Sequence, residues 1–195
     1  MQSPLNPSPA FPIPAPPAEN AGAFWVFGYG SLMWRPDFPH LETTNAVCHG
    51  YHRELCISSV RYRGTPERPG LVLGLDRGGT CRGRAFRIAE DAVASVVAIL
   101  HEREMTTAVY RPTWLKLRLE NGRRVQGYGF VARRDHVQYR GTLPPEEAAR
   151  LVRESAGSMG PNVDYVRNTL DHLRAIGLDD RKLARILKLV EIGAG

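Results

Sequence analysis

What this chain has little of narrows its class before any motif is read. Cysteine occurs only as Cys48, Cys56 and Cys81. The number is odd, no two form a CxxC pair and no Cys/His ligand spacing is present, so neither a disulfide framework nor a zinc site is indicated. Reduced thiols fit a reducing compartment, and a cytoplasmic location is expected. No stretch approaches the roughly 18 apolar residues of a membrane span. The start of the chain lacks the basic segment and continuous apolar run of a secretory signal. Lysine is almost missing as well, present only as Lys116, Lys182 and Lys188, so arginines scattered along the chain carry the formal charge of +6. They form no Lys/Arg block and do not interleave with aromatics, which argues against a nucleic-acid partner. A small acidic substrate accounts for the cationic excess equally well.

What is present divides in two. From Ser3 to Pro17 prolines recur without charge or apolar periodicity, which describes an extended tail; residues 1–22 are therefore expected to be disordered. Residues 23–195 are of a size to form one domain. Within them Ala46 to Val60 reads as a strand. Leu71 to Leu75 and Gly83 to Ile88 read as two more, separated by a turn over Asp76 to Thr80. Asn121-Gly122 marks a hairpin between Trp114 to Leu119 and Val125 to Val131, since that dipeptide favours a two-residue primed turn. A helix is expected from near Asp91 to Glu104, with Val93, Val97 and Leu100 stacked on one face. Later, Pro144-Pro145-Glu146-Glu147 opens a helix that Gly157 ends. Asn162 or a neighbour caps the next helix, which runs to Ala175 with Gly177 as its stop, and Asp179 caps a last one ending near Glu191. The composite is α+β: a small mixed or antiparallel β-barrel with an inserted helix and a helical C-terminal third.

Two places carry chemistry. Phe24 to Phe27 is an aromatic and β-branched run suited to a buried strand, and Gly28-Tyr29-Gly30-Ser31-Leu32 follows it at once. Glycines at 28 and 30 permit backbone angles that other residues resist, and amides freed by such a turn can cradle an anion or polarise a carbonyl. An ordinary glycine turn is the plainer alternative. The second place is the end of the inserted helix. At about 100° per residue Glu104 falls on the apolar stripe with Val93 and Leu100, whereas Glu102 lies about 160° away from it. A carboxylate facing the core, at the negative end of a helix, is costly to ionise, and its pKa rises toward the range useful for proton transfer. The alternative is a solvated Glu104, or one paired with Arg103 or Arg111.

The segment Trp25 to Pro39, with Val26-Phe27-Gly28-Tyr29-Gly30-Ser31-Leu32-Met33-Trp34 at its centre, resembles the opening motif of the ChaC-type γ-glutamylcyclotransferases. The resemblance continues through Arg63 to Gly70, Leu100 to Met105, Tyr110-Arg111-Pro112, Tyr139-Arg140-Gly141 and Gly160 to Tyr165. It implies a γ-glutamylcyclotransferase-like fold and a lyase acting on glutathione to give 5-oxoproline and L-cysteinylglycine. It also implies a substrate-binding role for Phe27, Gly28, Tyr29, Gly30, Ser31 and Leu32, and a catalytic acid/base role for Glu104. The chain departs from the family in its Pro-rich start and in the residues beside Glu104.

On that reading the γ-glutamyl amine closes on its own side-chain carbonyl, so the reaction needs a held conformer and a proton carrier. Neither cofactor nor metal is expected. Arg61, Arg63 and Arg111 are candidates to meet substrate carboxylates, and Tyr139 and Tyr165 to lend hydroxyls. Two other readings stay open: the same chemistry on other γ-glutamyl amines or dipeptides, and a non-catalytic γ-glutamyl-binding module.

Overall fold

A computed structural model of the chain describes residues 15–193. Most of the Pro-rich stretch expected to form a tail lies outside the described residues. Its last part does not: Ala18–Asn20 form a 3-10 turn, and the Asn20 side chain bonds the backbone of Gln126 in both directions, at 2.8 Å each.

Five strands close a barrel in the order β1, β3, β2, β4, β5. They are β1 (Phe24–Gly28), β2 (Glu42–Ser59), β3 (Gly70–Ile88), β4 (Tyr110–Leu119) and β5 (Arg124–Ala132). The closing seam, β1 with β5, is parallel and the other pairings are antiparallel, so the barrel is mixed as expected. Helix α1 (Val93–Glu104) is inserted between β3 and β4. The C-terminal part holds α2 (Pro145–Glu154), a small hairpin of β6 (Ala156–Gly157) and β7 (Gly160–Pro161), α3 (Asn162–Ala175) and α4 (Arg181–Ile192).

Burial on both sides explains why β1 is apolar at every position. Trp25 and Phe27 fill the barrel interior with Cys48, Cys81, Leu115 and Leu117. Phe24 and Val26 point outward and, with Phe86, Ile88, Tyr128 and Phe130, receive Val96, Val97 and Leu100 of α1. The helix therefore lies across the outside of the seam. That position brings its C-terminus to the loop that leaves β1.

Several local expectations are corrected. The two strands Leu71–Leu75 and Gly83–Ile88 are one strand, β3, which runs through Asp76–Thr80 beside β2. The turn-like glycines there make a bend instead: Gly78 and Gly79 take φ of 100° and 68° opposite Gly50 at 87°, where the β2–β3 register shifts between His49 and Tyr51. At the second hairpin Gly122 alone has positive φ, its N–H bonds Leu119 O, and Leu119 N–H bonds Arg123 O. This is a three-residue turn closed by a glycine bulge, not the two-residue primed turn. Helix α2 stops at Glu154, and Gly157 belongs to the small hairpin. Asp180, not Asp179, caps α4, accepting from Leu183 N at 3.0 Å. Asn162 starts α3 but caps nothing; its amide is spent on β3, as described next.

Candidate active site

A strand edge forms one wall of the site. On its β2 side β3 is paired throughout, but β1 covers its other edge only from Arg84 to Ile88. At Leu71 and Leu73 the outward backbone groups would be left without partners, a costly state for buried peptide groups. Side chains take the strand's place. Asn162, fully buried, accepts from Leu71 N at 2.7 Å and donates to Leu71 O at 2.8 Å. Two tyrosines divide Leu73: Tyr110 Oη donates to Leu73 O at 2.7 Å, and Leu73 N donates to Tyr165 Oη at 3.1 Å.

The loop after β1 forms the facing wall. Neither Gly28 nor Gly30 adopts a positive φ, and only Gly30, at φ −130° and ψ −133°, leaves the usual β and α regions. Gly28 is needed for close approach: a Cβ there would lie 3.0 Å from Leu32 Cβ and 3.3 Å from Met33 N. The chain then makes a 3-10 turn over Ser31–Met33, in which Met33, Trp34 and Arg35 donate back to Gly30 and Ser31. The amides of Gly30, Ser31 and Leu32 donate to no backbone carbonyl among the described residues. They are the orphan donors of a helical first turn and form the group best suited to meet a carbonyl or carboxylate oxygen.

Glu104 ends α1 between these walls. Its side chain is 18% exposed, while burial raises its pKa and the Arg103 guanidinium, with Nε 3.4 Å from Oε1, pulls it back. The carboxylate thus keeps a small exposed fraction while its charge is poorly solvated, and the space it borders between the two walls is the candidate cleft. Both open readings of Glu104 hold in part, since it faces inward and also pairs with Arg103; Glu102 is exposed. Tyr29, Tyr110 and Tyr165 lie within the electrostatic reach of Glu104, and burial foremost raises all three phenols, Tyr165 to about 12.

Of the loop residues singled out in the sequence, Tyr29 lies within electrostatic reach of Glu104, Gly30 stands against Leu73 and Ser31 accepts from Arg103 beside Glu104. The Leu32 side chain packs under α1 and leaves only its amide. Phe27 is fully buried in the barrel interior and supports the loop from below. Tyr165 is brought in, and Arg63 stands beside it, its Cζ 5.6 Å from the ring centre, donating to Met159 O and Pro161 O. Arg61, over the Tyr62 ring, and Arg111 are exposed. Tyr139 belongs elsewhere: its Oη donates to buried Asp76 at 2.8 Å, which Arg134 also pairs at 2.7 Å.

Sequence reasoning missed Arg53, and it named Arg103 only as a possible partner of Glu104, not as a tie to the loop. Arg103 donates to Ser31 Oγ (2.8 Å), Arg35 O (2.7 Å) and Asp37 Oδ2 (3.1 Å), so it ties the end of α1 to the loop while touching Glu104. Arg53 donates to Tyr29 O (2.7 Å) and Arg82 O (2.6 Å) and pairs with Asp180 at 3.4 Å. Arg53 is one arginine among many in the sequence, with no spacing to distinguish it, and nothing local in the sequence pairs Arg103 with Ser31. Tyr110 was quoted only as part of a motif. A cavity of about 380 Å³ beside Glu67–Pro69 and α2 shares no lining residue with this cleft. Among the described residues no cluster of three or more His, Cys, Asp or Glu is arranged to hold a metal, and no helix is long and apolar enough to cross a membrane.

The barrel with its outer helix and helical C-terminal part is the fold of a glutathione-specific γ-glutamyl cyclotransferase from yeast. That crystal structure superposes with a TM-score of 0.78 at 21% identity, covering 89% of this chain and 100% of the other. The sequence profile of the ChaC-like protein family matches residues 24–193, and the chain belongs to that family. Among its relatives is the glutathione-specific gamma-glutamylcyclotransferase of Escherichia coli K12, 34% identical over 170 residues that cover 87% of this chain and 74% of that protein. The human glutathione-specific gamma-glutamylcyclotransferase 1 is 28% identical over 197 residues, covering 95% and 89%.

Proposed function

We propose that this protein is a γ-glutamylcyclotransferase that converts glutathione to 5-oxoproline and L-cysteinylglycine. The observation that carries this reading is the poorly solvated carboxylate of Glu104, set between free loop amides and a tyrosine-lined strand edge. The kinship with the Escherichia coli enzyme supports the choice of substrate.

The reaction follows from this arrangement. The γ-glutamyl ammonium gives a proton to the Glu104 carboxylate, and the freed amine attacks the side-chain amide carbon. A C–N bond forms, closing a five-membered ring, and the carbonyl electrons move onto oxygen. Amides at Gly30 to Leu32 stabilise that oxygen or hold the α-carboxylate. The intermediate then collapses and the C–N bond to cysteine breaks: Glu104 returns its proton to the leaving nitrogen, and the second proton of the ring nitrogen passes to the same amine, which departs as an ammonium and leaves the neutral lactam. Binding the chain in a bent conformer supplies much of the advantage of an intramolecular attack. The chemistry balances with no cofactor. Residues 23–195 act as one catalytic domain on a small-molecule substrate, and the unpaired cysteines suit a reducing cytoplasm.

The test is a substrate panel. Purified protein is incubated with glutathione, γ-glutamylcysteine, γ-glutamylalanine and γ-glutamyl-ε-lysine while 5-oxoproline is measured. Release from glutathione above all others is the expected result. Preferential release from another member would move the enzyme to that substrate, and no release from any would leave a binding module.

A further inference from the structure

The two phenols on Leu73 are alike in chemistry but are held with opposite polarity. A carbonyl can only accept, so the Tyr110 proton is committed to Leu73 O and the face of its oxygen toward the cleft offers lone pairs. An amide N–H can only donate, so a lone pair of Tyr165 is committed to Leu73 N and its own proton is free to be given. One peptide unit thus turns two identical side chains into an acceptor and a donor.

The surrounding charges follow the same direction. Arg63 lies over the Tyr165 ring, and both Arg63 and Arg53 act on that phenol. Glu104 acts on both phenols, and at Tyr165 the two arginines oppose it. Hydrogen-bond polarity therefore sets the assignment, and the two arginines at Tyr165 lean the same way: the Tyr165 end suits an anion, the Tyr110 end a cation.

We infer that Tyr110 and Tyr165 orient the zwitterionic α-amino-acid head of the substrate, Tyr110 accepting from its ammonium and Tyr165 donating to its carboxylate. This rests on the γ-glutamyl reading and deepens it. It sets the amine on the Glu104 side, where it must lose a proton, and leaves the loop amides for the carbonyl oxygen that becomes anionic. It also accounts for recognition of a free α-amino acid end, because a peptide lacking either charge leaves one phenol without its partner.

The experiment uses two glutathione analogues, glutaryl-cysteinylglycine, which lacks the α-amine, and 4-aminobutanoyl-cysteinylglycine, which lacks the α-carboxylate. Each is titrated calorimetrically into the wild-type protein, Tyr110→Phe and Tyr165→Phe. A hydrogen bond to a charged group is worth roughly 10- to 100-fold in affinity. Tyr110→Phe is expected to weaken the 4-aminobutanoyl analogue by roughly that factor and leave the glutaryl analogue within about twofold. Tyr165→Phe should do the reverse. Each variant also removes one bond to Leu73, but a loosened strand edge would weaken both analogues alike. Equal losses, no losses or a reversed pattern would overturn the inference. Where a Phe variant does not fold, Arg63→Gln gives a second reading: it should weaken only the carboxylate-bearing glutaryl analogue, and equal or opposite effects would count against the assignment. Because binding is read without turnover, wild-type protein that releases no 5-oxoproline would remove the proposed reaction while the crossed pattern still judges the phenols.

Discussion

At the scale of single residues the proposed mechanism turns on how one carboxylate is kept able to take a proton. Burial raises the Glu104 pKa and Arg103 lowers it, and the balance stays above the ordinary value of 4.5. Glu104 must be ionised to take a proton, so kcat should fall as pH drops through this raised value, at higher pH than a solvent-exposed glutamate would give. A pH profile of 5-oxoproline release checks this. Arg103→Met should shift that acidic limb further upward, because it removes the cation that favours the carboxylate. It should also raise KM by freeing Ser31, and Arg103→Lys should restore the limb better than KM, since lysine keeps the charge but not the fork. Glu104→Gln should cut kcat about 100-fold or more with KM little changed. The same change should stabilise the fold. An acid whose pKa is raised on folding is disfavoured while ionised, a cost present above the folded pKa and absent below the unfolded one. At neutral pH Tm should therefore rise by about 2–4 °C per 1 kcal/mol relieved, and the gain should vanish in acid.

At the scale of elements the instructive part is β3. Its apolar runs were legible as strands, and so was the periodic stripe of α1, because both patterns follow from local side-chain spacing. That the runs were one strand was not legible: the Asp76 to Thr80 segment carries turn residues, and only pairing with β2 shows that Gly78 and Gly79 bend a continuous ladder. The Asn121-Gly122 hairpin was found for the same local reason, and its turn type missed because Asn121 did not need a positive φ once Gly122 supplied one. Asn162 shows the limit most clearly. Beside a helix start it reads as a cap, yet its amide completes an edge 91 residues earlier in sequence. Asn162→Ala should leave two buried backbone groups of Leu71 unpaired and destabilise the fold by about 2–6 kcal/mol, at about 1–3 kcal/mol for each group. Urea unfolding measures this, and a shifted midpoint with an unchanged slope is the expected form.

At the scale of the whole molecule the barrel must close, and its seam is the weakest pairing in the sheet. Strands β1 and β5 share register at only two positions, Trp25 with Gly127 and Val26 with Tyr128. The next backbone groups of β5 along that edge, at Gln126, would be open, and an open edge inside a closed barrel defeats its purpose. Asn20 closes it by presenting a side-chain amide where a further strand residue would stand, with its Nδ2 donating to Gln126 O and its Oδ1 accepting from Gln126 N. This could not be read from composition, because the asparagine sits just beyond a proline-rich run and its partner is 106 residues away. Burial separates it from an incidental contact: Asn20 is fully buried, whereas neighbouring Glu19 reaches the Gln126 side chain in an exposed setting. Asn20→Ala should therefore cost about 2 kcal/mol, from two hydrogen bonds at about 1 kcal/mol each, whereas Glu19→Ala should cost well under about 1 kcal/mol. Hydrogen exchange gives the sharper reading. In Asn20→Ala the Gln126 amide should lose protection while amides in the β2–β3 ladder keep theirs relative to global stability. Unchanged exchange at Gln126 would show that the seam closes without the asparagine.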